Sequence, residues 1–417
     1  MQLFRLWSSI PVVLGTSFLL GSFLSAYPQQ PAQRHGPEAN RRGLVSNPEG
    51  PEPPCAAADS STPSGLVVVI IDKPQLHALD LRALRNPCIN GVALQIHWAD
   101  LEPVQGKPDW SKLDQLFSAA ESSHKWVQLL IFPGFFSPAW ALEGGVKTEP
   151  FAIQYGPGKG TVMTLPLPWD KVYLARWFAF LKLLSARYGK DTAFRVVAAA
   201  GPTSVSAEMS LPERLQNVKI WQSEGYTPHK YIEAWQEIFQ VYAANFPNQW
   251  VSLSVGIGLN VNNQGRIERG EGERTRQMII DGAKTRLGNR FVLQNSDLSA
   301  GPVRHPATQL VIGYSGRLIT GLQMRTSAEH NSADMGASDN PTVALRRSID
   351  LGMEPNSAGH RIDYLEIYEP DVVADDLQPV LRYGASLFMS KPHVAAKKEQ
   401  VTSHTGGWLY GGPLGRG

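Results

Sequence analysis

Apolar runs and helical repeats alternate along this chain from residue 65 almost to its end. Eight runs read as strands: 65–72, 89–98, 126–133, 194–201, 250–259, 290–297, 321–328 and 362–369. Apolar residues at three- and four-residue spacing predict helices over 74–85, 109–123, 169–188, 228–246, 273–287, 306–318, 341–351 and 377–389. Near-continuous apolar strands belong to a sheet covered by helices on its faces. Eight strands alternating with eight helices are what a closed parallel (β/α)8 TIM barrel requires, here over 65–390. A doubly wound open sheet is the competing arrangement. No GxGxxG or GxxxxGK[ST] loop follows a strand, so nucleotide binding has no support.

The ends of the chain differ in character. Residues 1–26 carry Arg5, an uncharged apolar run from Ile10 to Leu24, and small residues at Ser25-Ala26. That is the pattern of an export signal, and it predicts a secreted or periplasmic protein. The run is shorter than the roughly 20 residues of a spanning helix, and a membrane anchor follows only if it stays uncleaved. Residues 27–64, rich in Pro, Gln, Ser, Gly and Ala, predict a disordered linker. Residues 391–417 predict a flexible tail.

With 417 residues and 42% hydrophobic content the chain can bury one large core. A formal net charge of +2, with scattered basic residues, gives no electrostatic case for nucleic acid. Cys55 and Cys88, the two cysteines, allow one disulfide or two free thiols. His97, His124 and His305 are isolated, and no Cys/His spacing reads as a metal site.

In a barrel of this kind the loops after the strands build the active site. The fourth strand runs into a small polar loop whose single carboxylate is Glu208. On the eighth strand, alternation sets Tyr364, Glu366 and Tyr368 on one face and Leu365 and Ile367 on the other. The helix-facing side should be apolar, so Glu366 is expected to point inward, with Arg325 or Gln323 as structural partners. Glu369 falls at that strand's mouth. Trp98, Trp140, Trp221 and Tyr226 lie at strand ends or in long loops, where rings can stack on sugar faces. Gln95, His97, Asn295 and Tyr368 are polar candidates for the same site.

Residues 95–117 read QIHWADLEPVQGKPDWSKLDQLF. This resembles the "W…EP..G..DW..LD" segment of clan A glycoside hydrolases, the superfamily of β-galactosidases, xylanases and cellulases. The matching positions are Trp98, Glu102-Pro103, Gly106, Asp109-Trp110 and Leu113-Asp114. Pro138-Ala139-Trp140 is similar to the Pro-Ala-Trp after strand three of β-galactosidase-like members. The resemblance implies a cofactor-free glycosidase acting on an oligo- or polysaccharide, with Glu208 as acid/base and a second carboxylate as nucleophile. Two positions depart from it. Ala207-Glu208 stands where the clan places Asn-Glu, and the seventh strand reaches Glu329 only beyond its end.

The sequence therefore predicts an exported hydrolase of O-glycosidic bonds with a retaining, two-carboxylate mechanism. Glu208 is the acid/base, Glu366 the leading nucleophile and Glu369 the alternative. The other reading is a carbohydrate-binding barrel that has lost its nucleophile.

Overall fold

Eight parallel strands hydrogen-bond into a ring in this computed structural model: β1 (Gly65–Ile71), β2 (Ile89–His97), β3 (Trp126–Phe132), β6 (Phe194–Ala198), β7 (Trp250–Ser254), β8 (Phe291–Leu298), β9 (Ile319–Met324) and β10 (Tyr364–Tyr368). The order β1-β10-β9-β8-β7-β6-β3-β2 closes on itself, so the barrel expected from sequence is the fold. β4 (Thr148–Ala152) and β5 (Val162–Pro166) form a separate antiparallel hairpin after β3. The structure describes Cys55 and residues 61–389, except 154–158, 204–206, 302–304 and 337–338. The expected leader, most of the linker and the expected tail lie outside the described residues.

The helices are α1 (Trp98–Leu101), α2 (Ser111–Ser122), α3 (Lys171–Tyr188), α4 (Leu215–Ser223), α5 (Pro228–Asn245) and α6 (Glu271–Leu287). After them come α7 (Pro306–Tyr314), α8 (Ala328–Asn331), α9 (Pro341–Gly352), α10 (Glu369–Val373) and α11 (Gln378–Met389). Their starts follow from local chemistry. Asp170 accepts from Tyr173 N at 2.8 Å and caps α3. Thr227 and Asn340 cap α5 and α9, each followed by a proline whose missing N–H costs nothing at a first helical position. Trp177, Phe180 and Leu184 of α3, and Trp235 and Phe239 of α5, are buried against the sheet.

The helix expected over 74–85 is not formed. Only Arg82–Arg85 makes a short 3-10 turn. Leu76 is exposed, so its apolar spacing has no surface to bury against. The expected seventh strand also stops early, at Met324. Ser327 caps α8, its hydroxyl accepting from His330 N at 3.2 Å, and Glu329 falls on that helix, exposed.

Large aromatics fill the floor of the barrel. Trp126 and Tyr364 meet edge to face, with ring centroids 5.7 Å apart. Glycines make room for both. A Cβ on Gly321 would lie 2.1 Å from the Tyr364 ring, and one on Gly91 would lie 2.4 Å from Trp126. Gly321→Ala is therefore expected to lose about 1–3 kcal/mol by overpacking. Chemical denaturation measures it, and an unchanged midpoint would show that the ring moves freely.

Cys55 and Cys88 are joined as a disulfide, with Cα atoms 4.7 Å apart, settling the question the sequence left open. Cys88 directly precedes β2, so the bridge lies at the floor of the barrel. It closes a loop of 33 residues, for which chain entropy gives about 3–4 kcal/mol of stabilisation. Reduction is expected to lower Tm by several degrees, and Cys55→Ser should match the reduced wild type.

Candidate active site at the barrel mouth

β6 ends at Ala198, but its line in the wall is taken up again ten residues later. Ala199 N still bonds Ser252 O at 2.8 Å. The chain then leaves the wall and returns so that Glu208 forms a parallel bridge with Ser254, with Met209 N bonding Ser254 O at 3.2 Å. Thr203 Oγ1 donates to Glu208 O at 2.5 Å, and the Tyr231 hydroxyl bonds Met209 O. The detour thus delivers Glu208 to the C-terminal end of the fourth barrel strand.

Register tells which way it faces. Residues paired across parallel strands share a face, and Glu208, Ser254 and Gln294 lie in one row across β6, β7 and β8. Gln294 faces the barrel interior, where it meets Gln128, Tyr364 and Glu366. Glu208 therefore faces inward at the mouth, half-buried. Its negative charge disfavours ionisation of Tyr368, a smaller effect than that tyrosine's burial and the influence of Glu366.

Beneath the mouth, the interior carries an amide network. Gln294 accepts from Gln128 Nε2 at 3.0 Å and from the Tyr364 hydroxyl at 2.9 Å, and donates to Glu366 Oε1 at 2.8 Å. A second strand of it runs from Gln95 Nε2 to Gln323 Oε1 at 3.0 Å, and from Gln323 Nε2 to the Tyr368 hydroxyl at 2.9 Å. Glu366 points inward, as alternation on its strand predicts. Its amide partner is Gln294, not Gln323, and Arg325 pairs with Asp297 instead. Glu366 is 0% exposed, and its Oε2 has no hydrogen-bond partner among the described residues. Burial pushes its carboxyl up to about 8, against the smaller opposing effect of the amide donors. At neutral pH it is mostly a neutral acid with no exposed surface. That does not suit the nucleophile role expected from sequence, because a nucleophile must be ionised and must reach the anomeric carbon.

The alternatives at strands seven and eight stand elsewhere. Glu369 opens α10 and lies 3.8 Å from Arg82, beside the β1–β2 connection. Its pKa is raised by burial, then by Asp80. The inward position at the end of β9, where the resemblance implied a carboxylate, is held by Gln323.

The aromatic candidates divide by burial. Trp98 and Trp221 are 0% exposed and Tyr226 is 1% exposed, so their rings serve core packing and are removed from the sugar-binding set. Trp98 packs edge-on to Trp140 and Trp177, while Trp221 stacks on Phe151 of the hairpin. Asn295 is removed too: it turns outward, bonding Val255 O at 2.9 Å and Thr308 Oγ1 at 2.7 Å. Trp140 is half-buried against Trp98, with Nε1 bonded to Glu102 O at 3.0 Å. Gln95, His97 and Tyr368 do lie on the inward face near the mouth. The His97 ring stacks flat on Phe136, with centroids 3.9 Å apart, and Nδ1 sits 3.2 Å from Asp100. Phe136 was not anticipated; it follows Pro133-Gly134 in a loop without periodicity.

The motif that carried the resemblance has a structural role here. Trp98 Nε1 donates to Glu102 Oε2 at 2.9 Å, and Gly106 N donates to Glu102 Oε1 at 2.7 Å. Asp114 pairs with Arg187 at 2.7 Å and accepts from the Tyr188 hydroxyl at 2.6 Å. These contacts fold the connection after β2 and tie α2 to the end of α3. None of these hydrogen bonds involves the side chains of Gln95, His97, Glu208 or Tyr368.

No protein-family model matches the chain, and no curated protein matches it. Among solved structures, the chain is similar to xylanase B from Clostridium stercorarium F9, at 13% identity and a TM-score of 0.39, over 73% of this chain and 85% of that one. It is also similar to xylanase 10B from Thermotoga petrophila RKU-1, solved in complex with xylobiose, at 10% identity and a TM-score of 0.43, over 73% and 82% of the two chains. At such scores these likenesses add nothing to the eight-stranded closure already evident from the strand order.

Proposed function

We propose that this protein hydrolyses O-glycosidic bonds of an oligo- or polysaccharide, with Glu208 protonating the leaving oxygen. One observation carries the reading. A detour of the chain returns Glu208 to the wall of the barrel at the C-terminal end of the fourth strand, facing inward. Such barrels build their catalytic sites from the ends of their strands. Gln95, His97 and Tyr368 share that interior and supply polar groups for sugar hydroxyls. The reaction needs two carboxyl groups and no cofactor.

The retaining course expected from sequence requires an ionised partner about 5–5.5 Å from the acid. Buried, neutral Glu366 does not supply one, so the stereochemical course follows from whichever other carboxylate serves. Export remains part of the proposal: the disulfide between Cys55 and Cys88 fits an oxidising compartment.

Incubation of the full-length protein with a panel of aryl glycosides tests the reading. Release of the phenol from at least one sugar supports it. A folded protein that releases none, yet binds an oligosaccharide by calorimetry, would replace it with a binding barrel, the reading that Gln323 on the seventh strand favours.

A further inference from the structure

The inward face of β9 carries Gly321 and Gln323, so the end of the seventh strand offers an amide where a nucleophilic carboxylate was expected. Gln323 is 4% exposed and is bonded on both sides. Its Oε1 accepts from Gln95 Nε2 at 3.0 Å, and its Nε2 donates to the Tyr368 hydroxyl oxygen at 2.9 Å. Gln95 and Tyr368 are both half-buried. Tyr368 accepts, so its own O–H is left to donate. Gln95 donates, so its Oε1 is left to accept. Neither group bonds another described residue. One buried amide therefore holds a donor on one side and an acceptor on the other, both on the inward face near the mouth. Glu208 shares that mouth, and its charge acts on Tyr368.

The other carboxylates at this end of the barrel are engaged. Asp297 has both oxygens met, by Arg325 at 2.5 Å and by His305 at 3.5 Å. Asp100 turns its buried Oδ2 to His97 Nδ1, 3.2 Å away. Asp72 pairs with Lys112 at 2.7 Å, and Asp371 accepts from Ser327 and from two backbone amides. Glu366 lies beneath the mouth without exposed surface, and Glu369 faces Arg82. Residues 154–158, 204–206, 302–304 and 337–338 contain no Asp or Glu. A retaining glycosidase that brings no nucleophile of its own takes one from the substrate. A donor and an acceptor held together complement a secondary amide, which brings a carbonyl and an N–H.

We propose that the substrate is a 2-acetamido-2-deoxy sugar whose own acetamide oxygen takes the place of the second carboxylate. This rests on the glycosidase reading with Glu208 as acid. Tyr368 donates its O–H to the acetamide carbonyl, and Gln95 Oε1 accepts from the acetamide N–H. The acetamide oxygen bonds to the anomeric carbon as the glycosidic C–O bond breaks, and the proton of Glu208 passes to the leaving oxygen. The intermediate is a bicyclic oxazolinium cation, balanced by the Glu208 carboxylate. A water oxygen then bonds to the anomeric carbon as its bond to the acetamide oxygen breaks, and one water proton returns to Glu208. Two displacements retain the configuration. The first requires a leaving group trans to the acetamide, so the scissile linkage is 1,2-trans.

The test uses the full chain and nitrophenyl β-glycosides of the gluco and galacto series, each with a 2-acetamido group, a 2-hydroxyl, or an acetamide bearing one, two or three fluorines. The acetamido glycoside of one series is expected to turn over at least about 10³-fold faster than its 2-hydroxyl counterpart, which has no intramolecular nucleophile. Successive fluorines should lower kcat stepwise, because they withdraw charge from the attacking oxygen. Proton NMR should show the sugar released first with its configuration retained. Tyr368→Phe is expected to lose about 10–100-fold in kcat/KM on the acetamido glycoside while melting within a few degrees of wild type. An equal or greater rate on the 2-hydroxyl sugar, a kcat indifferent to fluorine, inversion of configuration, or Tyr368→Phe at the wild-type rate overturns the assignment and leaves Glu208 standing as the acid. A wild type that hydrolyses neither these glycosides nor any of the wider aryl panel removes the glycosidase reading itself, and the acetamide with it.

Discussion

Glu366→Gln is expected to flatten the fall of stability with rising pH. The folded carboxyl titrates near 8, and the ordinary value is 4.5. Between those values the native state keeps a proton that the unfolded chain has lost. Unfolding free energy is therefore highest below about pH 4.5 and declines as pH rises through 8, at about 1.4 kcal/mol per unit, on the order of 5 kcal/mol in total. Glutamine has no proton to lose, so this component disappears. Its amide still lacks a partner for the group placed at Oε2, which lowers stability at acid pH. The expected result is a crossing: wild type the more stable at pH 4.5, the variant the more stable at pH 8.5. Raised carboxyls elsewhere, such as Glu102 and Asp371, respond with the same sign in both proteins and cancel in the difference. Denaturation at a series of pH values measures it. Parallel curves would show that Glu366 is already ionised in the fold.

The second large effect is on rate. Glu208→Gln is expected to lower kcat by about 10²–10⁴-fold on glycosides whose leaving group needs a proton. KM should change little, because the interaction removed is made as the bond breaks. Stability should change little too, since the backbone of residue 208 is held by Thr203 and by its bridge to Ser254, and the side chain is only half-buried. A variant that loses activity only because it unfolds would show the rate loss together with a fallen Tm, and circular dichroism separates the two.

The alternation of apolar runs and helical repeats was enough to place all eight barrel strands, because each strand buries both faces and each helix covers one. The inward face of the last strand was legible for the same reason, since polar Glu366 between two tyrosines fits only the interior. Glu208 was legible as the first carboxylate after the fourth strand, ahead of Glu213. Its return into register with Ser254 was not, because that depends on a pairing across a ten-residue detour. The same holds for the slip of β8 against β9 near Asp297, because a bulge is a property of two strands and the sequence of one does not announce it. The aromatic candidates failed for a related reason. Trp98, Trp221 and Tyr226 sit where loops and strand ends meet, and only the packing of Trp177, Phe151 and Trp169 against them decides that they are core. Helical spacing over 74–85 misled because spacing supplies a stripe and not the surface that covers it.

The most direct measurement of the central claim is the dependence of Glu208→Gln hydrolysis on the leaving group. Wild type and variant are compared across aryl glycosides of one sugar, from a dinitrophenol to an unactivated phenol or alcohol. If Glu208 supplies the proton, the variant hydrolyses the most activated glycoside at close to the wild-type rate and falls progressively behind as leaving-group basicity rises. A loss of equal size across the whole series would contradict the claim, because it would mean that Glu208 does something other than protonate the departing oxygen.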